Sequence, residues 1–512
     1  MGEKVGVAIE DLPESKKKLL FWACWFALVA TSFGFVVRSF LIDTFGQQFA
    51  LTETQKGEIL GVGLWPFAIS IILFSLVVDR IGYGRAMVFA FVCHVLSVVL
   101  TVTATGYWQL YVATFIVALA NGTVEAVVNP VVATLFPQEK TKYLNYLHAG
   151  WPGGLVLGGL LALLMGPETD WRYKVALILL PTALYGIMML GCKFPVHERV
   201  AAGIPYMEML KEFGFLGALI VNFMMFTEVG RVFGFPGWLT GIIIVLATLG
   251  FGAVVKWAPG RPLFIFLLLV MIPLATTELG TDTWVTSLMQ PEMEKLGAQA
   301  GWLLVYTSFI MMVLRFCAGP IVHRLSPLGL LAVCSALAML GLIFLSKAAG
   351  AAILLAATLY GVGKTFFWPT MLGVVAERFP RGGALTLNAI GGAGMLGVGV
   401  VGAVFLGYIQ DTSVSNHLQQ AKPAVHAQVS VEKPWAFGQY TAVDPEKLQS
   451  LPPSDRAEIE ALSQDAKKSA LATVAIFPGI MLICYLVLIA YFRSKGGYRA
   501  VSIEEAAAEK SS

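Results

Sequence analysis

Apolar residues form long runs along the chain, and short polar segments separate them. A helix that crosses a bilayer needs about 20 mostly apolar residues. By this criterion the pattern predicts two sets of six transmembrane helices. The first set covers residues 19–42, 57–78, 86–105, 108–136, 145–166 and 172–192, and the second covers 262–289, 300–323, 328–346, 350–377, 383–408 and 469–492.

Two further apolar runs lie between the sets, within residues 213–257, and predict an inserted helical hairpin. We therefore expect an all-α polytopic membrane protein with about 14 transmembrane helices. The predicted organisation is an N-terminal tail (1–18), a six-helix bundle (19–192), a linker with the extra hairpin (193–261), a second six-helix bundle (262–492) that includes an outer loop (409–468), and a C-terminal tail (493–512).

The short loops that carry most of the Lys and Arg residues fall on one side of this arrangement, among them Lys16–Lys18, 193–211 and Arg378 with Arg381. Positively charged residues concentrate in cytoplasmic loops. We therefore expect a multi-pass protein of the plasma (inner) membrane with both termini in the cytoplasm.

The composition agrees with this class of protein. Hydrophobic residues make up 57% of the chain and charged residues 13%, against roughly 25% charged residues in soluble domains. A net charge of +3 gives no reason to expect a nucleic-acid partner. The six cysteines show no metal-ligand spacing, so we expect neither a metal nor a cofactor. The expected partners are a small-molecule substrate and the lipid bilayer, and we expect a monomer.

The two predicted bundles contain a repeated motif. The fourth helix of the first bundle reads GTVEAVVNP from Gly122 to Pro130, and its counterpart reads GVGKTFFWP from Gly361 to Pro369. Such internal repeats are common in transporters. Glu125 and Lys364 occupy the same place in the two motifs. If both side chains point inward, they face each other across the central axis.

A carboxylate at membrane depth is costly unless it is protonated, paired or facing water. Asn121, Glu125 and Asn129 are spaced by four residues, which places them on one stripe of a helix. The stripe either lines a cavity, with Glu125 exchanging a proton, or is a buried site in which Lys364 or Arg38 balances Glu125. Lys364 is then a switchable partner, a permanent partner or a group that binds an anionic substrate.

Other polar and aromatic side chains also point to a cavity. Glu278 and Asp282 are four residues apart, with Trp284 beyond them, and they line either the cavity or the outer interface. The fifth helix carries Asn145, His148 and Trp151 at intervals of three, where His148 is either a proton relay or a packing residue. Trp368 follows Lys364 by four residues and shares its face.

A third group of charged residues is predicted to act in conformational change. Asp79, Arg80 and Arg85 lie in the turn after the second helix, where their charges can bridge helix ends and latch the outward-open state. Arg315 lies nine residues before Arg324, and we interpret it as a structural clamp near the cytoplasm. Arg38 either extends to the outer surface or lies deep enough to meet substrate or Glu125.

Two six-helix bundles, with a short turn that contains Asp79 and Arg80 after the second helix, resemble the major facilitator superfamily. Glu125 with Asn129–Pro130, the downstream Asn145, TELGTDTW from Thr277, and NAIGGAGMLG from Asn388 are similar to motifs of its fucose:proton symporter and coupled glucose transporter family. The resemblance implies a central cavity where the carboxylate exchanges a proton and amides, including Asn388, bind sugar hydroxyls. The chain differs from that family at Ser39, at Trp151 and in its extra hairpin.

We therefore expect a secondary active transporter, not an enzyme. It would move a sugar or a related polyhydroxylated molecule by alternating access, coupled to protons rather than to sodium. The alternative is an organic-anion transporter, for a sugar acid, phosphate ester or nitrate-like ion, that uses Arg38, Lys364 and Arg315. A non-transporting membrane sensor or scaffold is a third hypothesis.

Overall fold

The computed structural model of the chain describes residues 6–166, 168–281, 293, 297, 301–435 and 438–508. The fold is α-helical, with one small β-hairpin. The helices of the first half and of the inserted segment are α1 (Glu14–Phe49), α2 (Glu53–Gly61), α3 (Trp65–Ile81), α4 (Tyr83–Val102), α5 (Tyr107–Leu135), α6 (Lys140–His148), α7 (Gly150–Leu164), α8 (Trp171–Ala176), α9 (Leu179–Leu190), α10 (Glu198–Ala201), α11 (Tyr206–Val232) and α12 (Gly237–Val254).

The second half continues the same architecture. Its elements are α13 (Pro262–Ala275), α14 (Gly301–Phe316), α15 (Ala318–Leu325), α16 (Pro327–Leu345), α17 (Ala352–Lys364), α18 (Phe367–Arg378), α19 (Gly383–Gly397), α20 (Ala403–Ala421), α21 (Pro423–Val429), β1 (Ser430–Trp435), β2 (Gly438–Val443), α22 (Pro445–Gln449), α23 (Pro453–Ser469), α24 (Leu471–Val474), α25 (Ile476–Ser494) and α26 (Ile503–Ala508). Two π-helical turns, Thr276–Gly280 and Val398–Gly402, and two 3₁₀ turns, Ile9–Asp11 and Pro380–Gly382, complete the described elements.

Twelve helical segments of the described chain are long and apolar enough to cross a membrane. A thirteenth crossing is reached if α14 and α15, which meet at a bend of 67°, form one span. The inserted hairpin is present as α11 and α12, and α12 is largely exposed, as expected for a helix that faces lipid. The all-α polytopic fold is as predicted. The predicted number of 14 is not reached by this measure, because α17 and α18 are separate and each is too short to be counted.

The repeated motif takes different shapes in the two halves. In the first half, α5 runs without interruption through Pro130. In the second half, the predicted helix 350–377 is broken, because α17 ends at Lys364 and α18 begins at Phe367. A break at membrane depth is tolerated where the backbone is buried in protein. Residues 364–376 are buried throughout.

The predicted outer loop is largely helical. The helix α20 extends to Ala421. The strands β1 and β2 pair antiparallel, with Ser430 opposite Val443 and Trp435 opposite Gly438. A small apolar cluster of Leu418, Val429 and Ile459 holds this segment together. The segment PPSDRAEIEALSQDAKK forms α23, which has no side-chain cap because Pro452 stands at the capping position.

Both ends of the described chain lie at the same end of the helix bundle. Val7 forms a β-bridge with Pro195, which follows the sixth spanning segment, and the main-chain N–H of Val501 donates to the carbonyl of Glu377 at the end of α18. We call this end, which carries Asp79, Glu377 and both tails, the terminal face. The opposite end is the far face.

Candidate substrate and proton-coupling site

A cavity of about 520 Å³ lies between the two halves. Its walls are mostly apolar and lie toward the far face. The lining residues are Phe35, Val36, Ser39, Phe40, Gly63, Leu64, Phe67, Asn121, Trp151, Leu155, Leu279, Gly280, Leu304, Met395, Val398, Gly399, Leu406 and Gly407. The size suits a small molecule, since ligand sites are mostly apolar with few polar groups. We call it the central cavity.

Charged residues gather where the central cavity narrows. A pocket of about 20 Å³ is lined by Phe67, Glu125, His148, Trp151, Glu278, Leu279, Arg315, Trp368 and Met395. It shares Phe67, Trp151, Leu279 and Met395 with the central cavity. We call it the floor pocket, because its charged residues lie at the base of the larger space.

Glu125 is linked to His148 through Asn129. The amide Nδ2 of Asn129 donates to Glu125 Oε2 at 2.7 Å, and Asn129 Oδ1 lies 2.9 Å from His148 Nε2. With the amide in this orientation, Nε2 of His148 carries the proton and donates it to Oδ1. His148 Nε2 is also 3.9 Å from Glu125 Oε2. The three side chains are at most 4% exposed, so they form one buried chain of hydrogen bonds.

Arg315 and Glu278 form a buried ion pair beside this chain. Arg315 Nη2 donates to Glu278 Oε1 at 2.7 Å, and Nε donates to the carbonyl of Thr365 at 2.6 Å. The other carboxylate oxygen of Glu278 accepts from the main-chain N–H of Trp368 at 3.0 Å. Glu278 lies in a π-helical turn, a feature found often at functional sites. Arg315, which the sequence predicted as a structural clamp, lies deeper than expected, since it lines the floor pocket while Arg324 is exposed.

The predicted pairing of Glu125 with Lys364 or Arg38 is not formed. No Lys or Arg lies within ion-pair distance of Glu125 in the part of the chain that the structure describes. Lys364 is fully buried, 5.2 Å from the centre of the Tyr360 ring, and its charge acts on Glu278. Arg315, and not Lys364, lines the floor pocket together with Glu125. The sequence spacing is symmetric, but α5 is continuous at Glu125 whereas α17 ends at Lys364.

Arg38 and Asn121 belong to a neighbouring polar group inside the first half. Arg38 Nη2 donates to Ser97 Oγ at 2.7 Å. Asn121 Oδ1 lies 2.9 Å from His94 Nε2, and His94 Nδ1 lies 2.9 Å from the hydroxyl of Tyr185. Sequence reasoning missed His94 and Tyr185. Both could have been found from the sequence, because an imidazole and a phenol hydroxyl are unusual in helices that are otherwise apolar.

Two of the predicted amides join the halves rather than line the cavity. Asn145 Nδ2 donates to Thr370 Oγ1 at 3.2 Å across the α6–α18 contact, and Asn388 Nδ2 donates to the carbonyl of Ala126 at 2.9 Å. Both are at most 1% exposed. Trp151 and Trp368 do line the floor pocket. Asp282 and Trp284 lie outside the described residues.

A second set of polar contacts closes the terminal face. Asp79 pairs with Arg199 at 2.5 Å, and Arg80 lies 4.5 Å from the centre of the Tyr206 ring. Thr141 Oγ1 donates to Glu377 Oε1 at 2.5 Å, which joins the two halves directly. We call these contacts the latch. Arg85 and Arg324 are exposed at the same end. The sequence predicted Asp79 and Arg80 here, but it did not indicate their partners or the Thr141–Glu377 contact.

Groups of three or more His, Cys, Asp or Glu side chains that could hold a metal ion do not occur among the described residues. The floor pocket itself is lined by four ionisable side chains. These are two carboxyl groups, an imidazole and a guanidinium.

The family model of the Major Facilitator Superfamily matches residues 24–277. Curated relatives include a putative metabolite transport protein of Haemophilus influenzae (24% identical over 29% of this chain and 38% of that protein), a probable sugar efflux transporter of Pasteurella multocida (28%, over 27% and 35%) and a cis,cis-muconate transport protein of Acinetobacter baylyi (25%, over 33% and 42%). The chain thus matches 35–42% of the length of these relatives.

Solved structures share the fold over nearly the whole chain. The proton:xylose symporter XylE aligns with a TM-score of 0.59 at 14% identity, over 92% of this chain and 95% of that one. The human organic anion transporter TETRAN gives 0.56 at 13% identity, over 93% and 100%, and the E. coli fucose:proton symporter FucP gives 0.53 at 16%, over 89% and 98%. The sequence match covers residues 24–277 and the shared fold extends over nearly the whole chain, so the chain is similar to transporters of the major facilitator superfamily.

Proposed function

We propose that the protein is a proton symporter for a sugar or a related polyhydroxylated small molecule. The observation that carries the proposal is the buried chain from Glu125 through Asn129 to His148 at the base of the central cavity. An ionisable side chain inside a membrane bundle generally marks a substrate or ion pathway. Glu125 sits on such a pathway because it lines the floor pocket.

The neighbours of Glu125 favour a proton over sodium. Asn129 Nδ2 donates to its carboxyl group at 2.7 Å and His148 Nε2 lies 3.9 Å from the same oxygen, and both are N–H donors. Donors stabilise a carboxylate but repel a metal cation, which requires oxygen ligands. A proton can reach Glu125 directly and can be exchanged with the imidazole of His148.

The walls of the central cavity support a polyhydroxylated substrate. Trp151 offers an aromatic face that suits the apolar side of a sugar ring, and Asn121 offers an amide. The fold neighbours include symporters of xylose and fucose, and one curated relative is named a probable sugar efflux transporter. Another fold neighbour is named an organic anion transporter, and another curated relative is named a cis,cis-muconate transport protein.

The cycle we propose is alternating access about the floor pocket. The positive-inside rule puts the terminal face in the cytoplasm, so the latch closes the inner side while the cavity lies toward the outside. Glu125 takes up a proton and the substrate binds above it. The halves then rock, the latch contacts break, and both are released inward. One chain supplies both halves and the whole cavity, so we propose that the protein acts as a monomer in the plasma (inner) membrane.

The test compares two modes of transport by reconstituted protein. Glu125→Gln removes the exchangeable proton but keeps the shape of the side chain. We expect it to abolish uptake driven by a pH gradient and to retain exchange of labelled for unlabelled sugar. Asp43→Asn is the matched control, because Asp43 is an exposed acid that pairs with Lys56. Undiminished gradient-driven uptake by Glu125→Gln would overturn the proposal.

A further inference from the structure

A second, smaller cavity branches from the central cavity into the first half. It has a volume of about 30 Å³, and it shares Phe35, Ser39, Gly63 and Asn121 with the central cavity. A water molecule needs roughly 10–15 Å³ of such space, so the branch holds about two waters or a group as small as a carboxylate. We call it the side pocket.

Arg38 is the charged residue of the side pocket. It is 7% exposed, and its described partners are neutral: Nη2 donates to Ser97 Oγ at 2.7 Å and Nη1 donates to the carbonyl of Gly34 at 3.3 Å. Its Nε is buried without a hydrogen-bond partner. No carboxylate in the described part of the chain lies within ion-pair distance of Arg38.

A guanidinium has five N–H donors, and two of those on Arg38 are used. A buried cation without a counter-charge is expensive, and Arg binds carboxylates with paired, parallel hydrogen bonds. The side pocket therefore combines an uncompensated positive charge, unused donors and room for a small anionic group.

Asn121 extends this site toward the central cavity. His94 Nε2 lies 2.9 Å from Asn121 Oδ1, and this contact leaves Nδ2 of the amide directed away from His94. Asn121 lines both cavities, so its amide lies where they join. A ligand that reached Arg38 from the central cavity would pass this donor.

The other buried cations near the cavity differ from Arg38. Arg315 is paired with Glu278, and the charge of Lys364 acts on the same carboxylate. Of the three residues considered for an anionic substrate from sequence, Arg38 is the one that lines a cavity with no described carboxylate within ion-pair distance.

We propose that the side pocket binds the carboxylate of an acidic substrate, a sugar acid, whose hydroxylated chain lies in the central cavity. This inference rests on the proposed function, since it names the substrate class of the same transport site. It also has a consequence for charge. A proton carried with a monoanion moves no net charge, whereas a proton carried with a neutral sugar moves one positive charge.

Binding to the purified full-length protein gives the first test. The probes are pairs that differ in the acidic group, D-glucuronate against D-glucose and D-gluconate against D-glucitol, with the affinity measured by thermal shift and calorimetry. We expect at least one acid to bind at least tenfold more tightly than its neutral partner, and Arg38→Gln to remove that preference. Equal affinities for acid and neutral partner, or binding of neither acid, would overturn the inference.

Two further variants test whether the effect is specific to position 38 and to its positive charge. Arg172→Gln makes the same change at an exposed arginine that pairs with Asp170 outside both cavities, and it should keep the preference for the acid. Arg38→Lys retains the charge and should keep part of that preference. If Arg38→Gln does not fold, the comparison of acid with neutral sugar on the unmodified protein still decides the question.

Transport in liposomes separates this inference from the proposed function. With a fixed pH gradient, an inside-negative potential is imposed by a potassium gradient and valinomycin. The potential should leave the uptake rate of the acid unchanged, because the acid and its proton together carry no net charge. It would increase the uptake rate of a neutral sugar that is carried with a proton. If glucose or glucitol is driven by the pH gradient and the acids are not, the inference fails and the proposed function stands. If the pH gradient drives neither class, both fail.

Discussion

Arg315 Nη1 donates a 2.7 Å hydrogen bond to the main-chain carbonyl of His148, and this bond crosses from the second half of the protein to the first. The same guanidinium holds Glu278 in its own half. The ion pair of one half is thus attached to the residue that ends the hydrogen-bond chain of the other. When the halves rock, this hydrogen bond either breaks or moves together with both residues. It therefore links the floor pocket physically to the conformational change.

The first prediction concerns the pair Arg315–Glu278. Arg315→Gln leaves the Glu278 carboxylate buried without its cation, and breaking a buried pair in this way costs about 3–5 kcal/mol. The double variant with Glu278→Gln should lose less stability than the sum of the two single variants, because it removes the carboxylate together with the guanidinium that hydrogen-bonds to it. Thermal unfolding of the protein in detergent measures all three. Additive losses would show that the two side chains are not coupled.

The second prediction concerns the close approach of Gly373 to Thr141 across the α6–α18 contact. A methyl group at Gly373 would lie 2.7 Å from the Thr141 Cα atom. Such overpacking costs about 1–3 kcal/mol. Gly373→Ala should therefore weaken closure of the terminal face. A reporter cysteine that replaces Thr370, in a background without the native cysteines, should be labelled faster by a maleimide.

The control for that substitution is Gly250→Ala. A methyl group there meets no atom within 4 Å, and Gly250 lies in the inserted helix α12. Labelling of the reporter should be the same as in the parent protein. An unchanged labelling rate in Gly373→Ala would show that this contact does not limit opening.

The third prediction concerns the latch pair Asp79–Arg199. The two side chains are 6% and 4% exposed, so Asp79→Asn leaves Arg199 buried without its partner. We expect the terminal face to open more often. Spin labels at the exposed positions Arg85 and Arg324, one on each half, should report a longer mean distance. The double variant Asp79→Arg with Arg199→Asp restores the ion pair and should shorten the mean distance between the labels again. If the double variant leaves that distance as long as in Asp79→Asn, the latch does not depend on charge.

The fourth prediction concerns pH and His197, which lies in the linker outside the spanning helices. Burial lowers the pKa of His197 from its ordinary 6.5, and the nearby Asp79 and Glu198 oppose this only in part. Its Nδ1 accepts a hydrogen bond from the main-chain N–H of Arg199 at 3.0 Å, which requires an unprotonated nitrogen. As the pH falls below 6.5, the unfolded chain binds a proton that the folded chain does not, so stability falls.

The measurement is the unfolding temperature between about pH 7.5 and pH 5.5, a range centred on the ordinary His pKa. The stability of the parent protein should decline toward acid pH. His197→Asn supplies an uncharged acceptor to the same N–H and should flatten that decline. Parallel curves for the parent and the variant would show that His197 does not contribute.

Much of the fold follows from the sequence because the bilayer imposes it. Backbone groups in lipid have to be satisfied within a helix, so apolar runs of sufficient length predict the spanning helices and the inserted hairpin. Spacing by four residues likewise puts Asn121, Glu125 and Asn129 on one face of α5 without reference to other helices. The candidate carboxyl group and its amide neighbour Asn129 were identifiable on these grounds alone.

The partners of the charged residues could not be read from the sequence. Spacing within one helix is fixed by its geometry, but a contact between helices depends on how each one is rotated and broken. The helix is interrupted between Lys364 and Phe367, and the Thr365 carbonyl within that interruption accepts a hydrogen bond from Arg315. Only the tertiary structure, by packing the two halves together, decided that Glu125 is joined to His148, that Arg315 spans the halves, and that Arg38 lies beside a cavity without an acidic partner among the described residues.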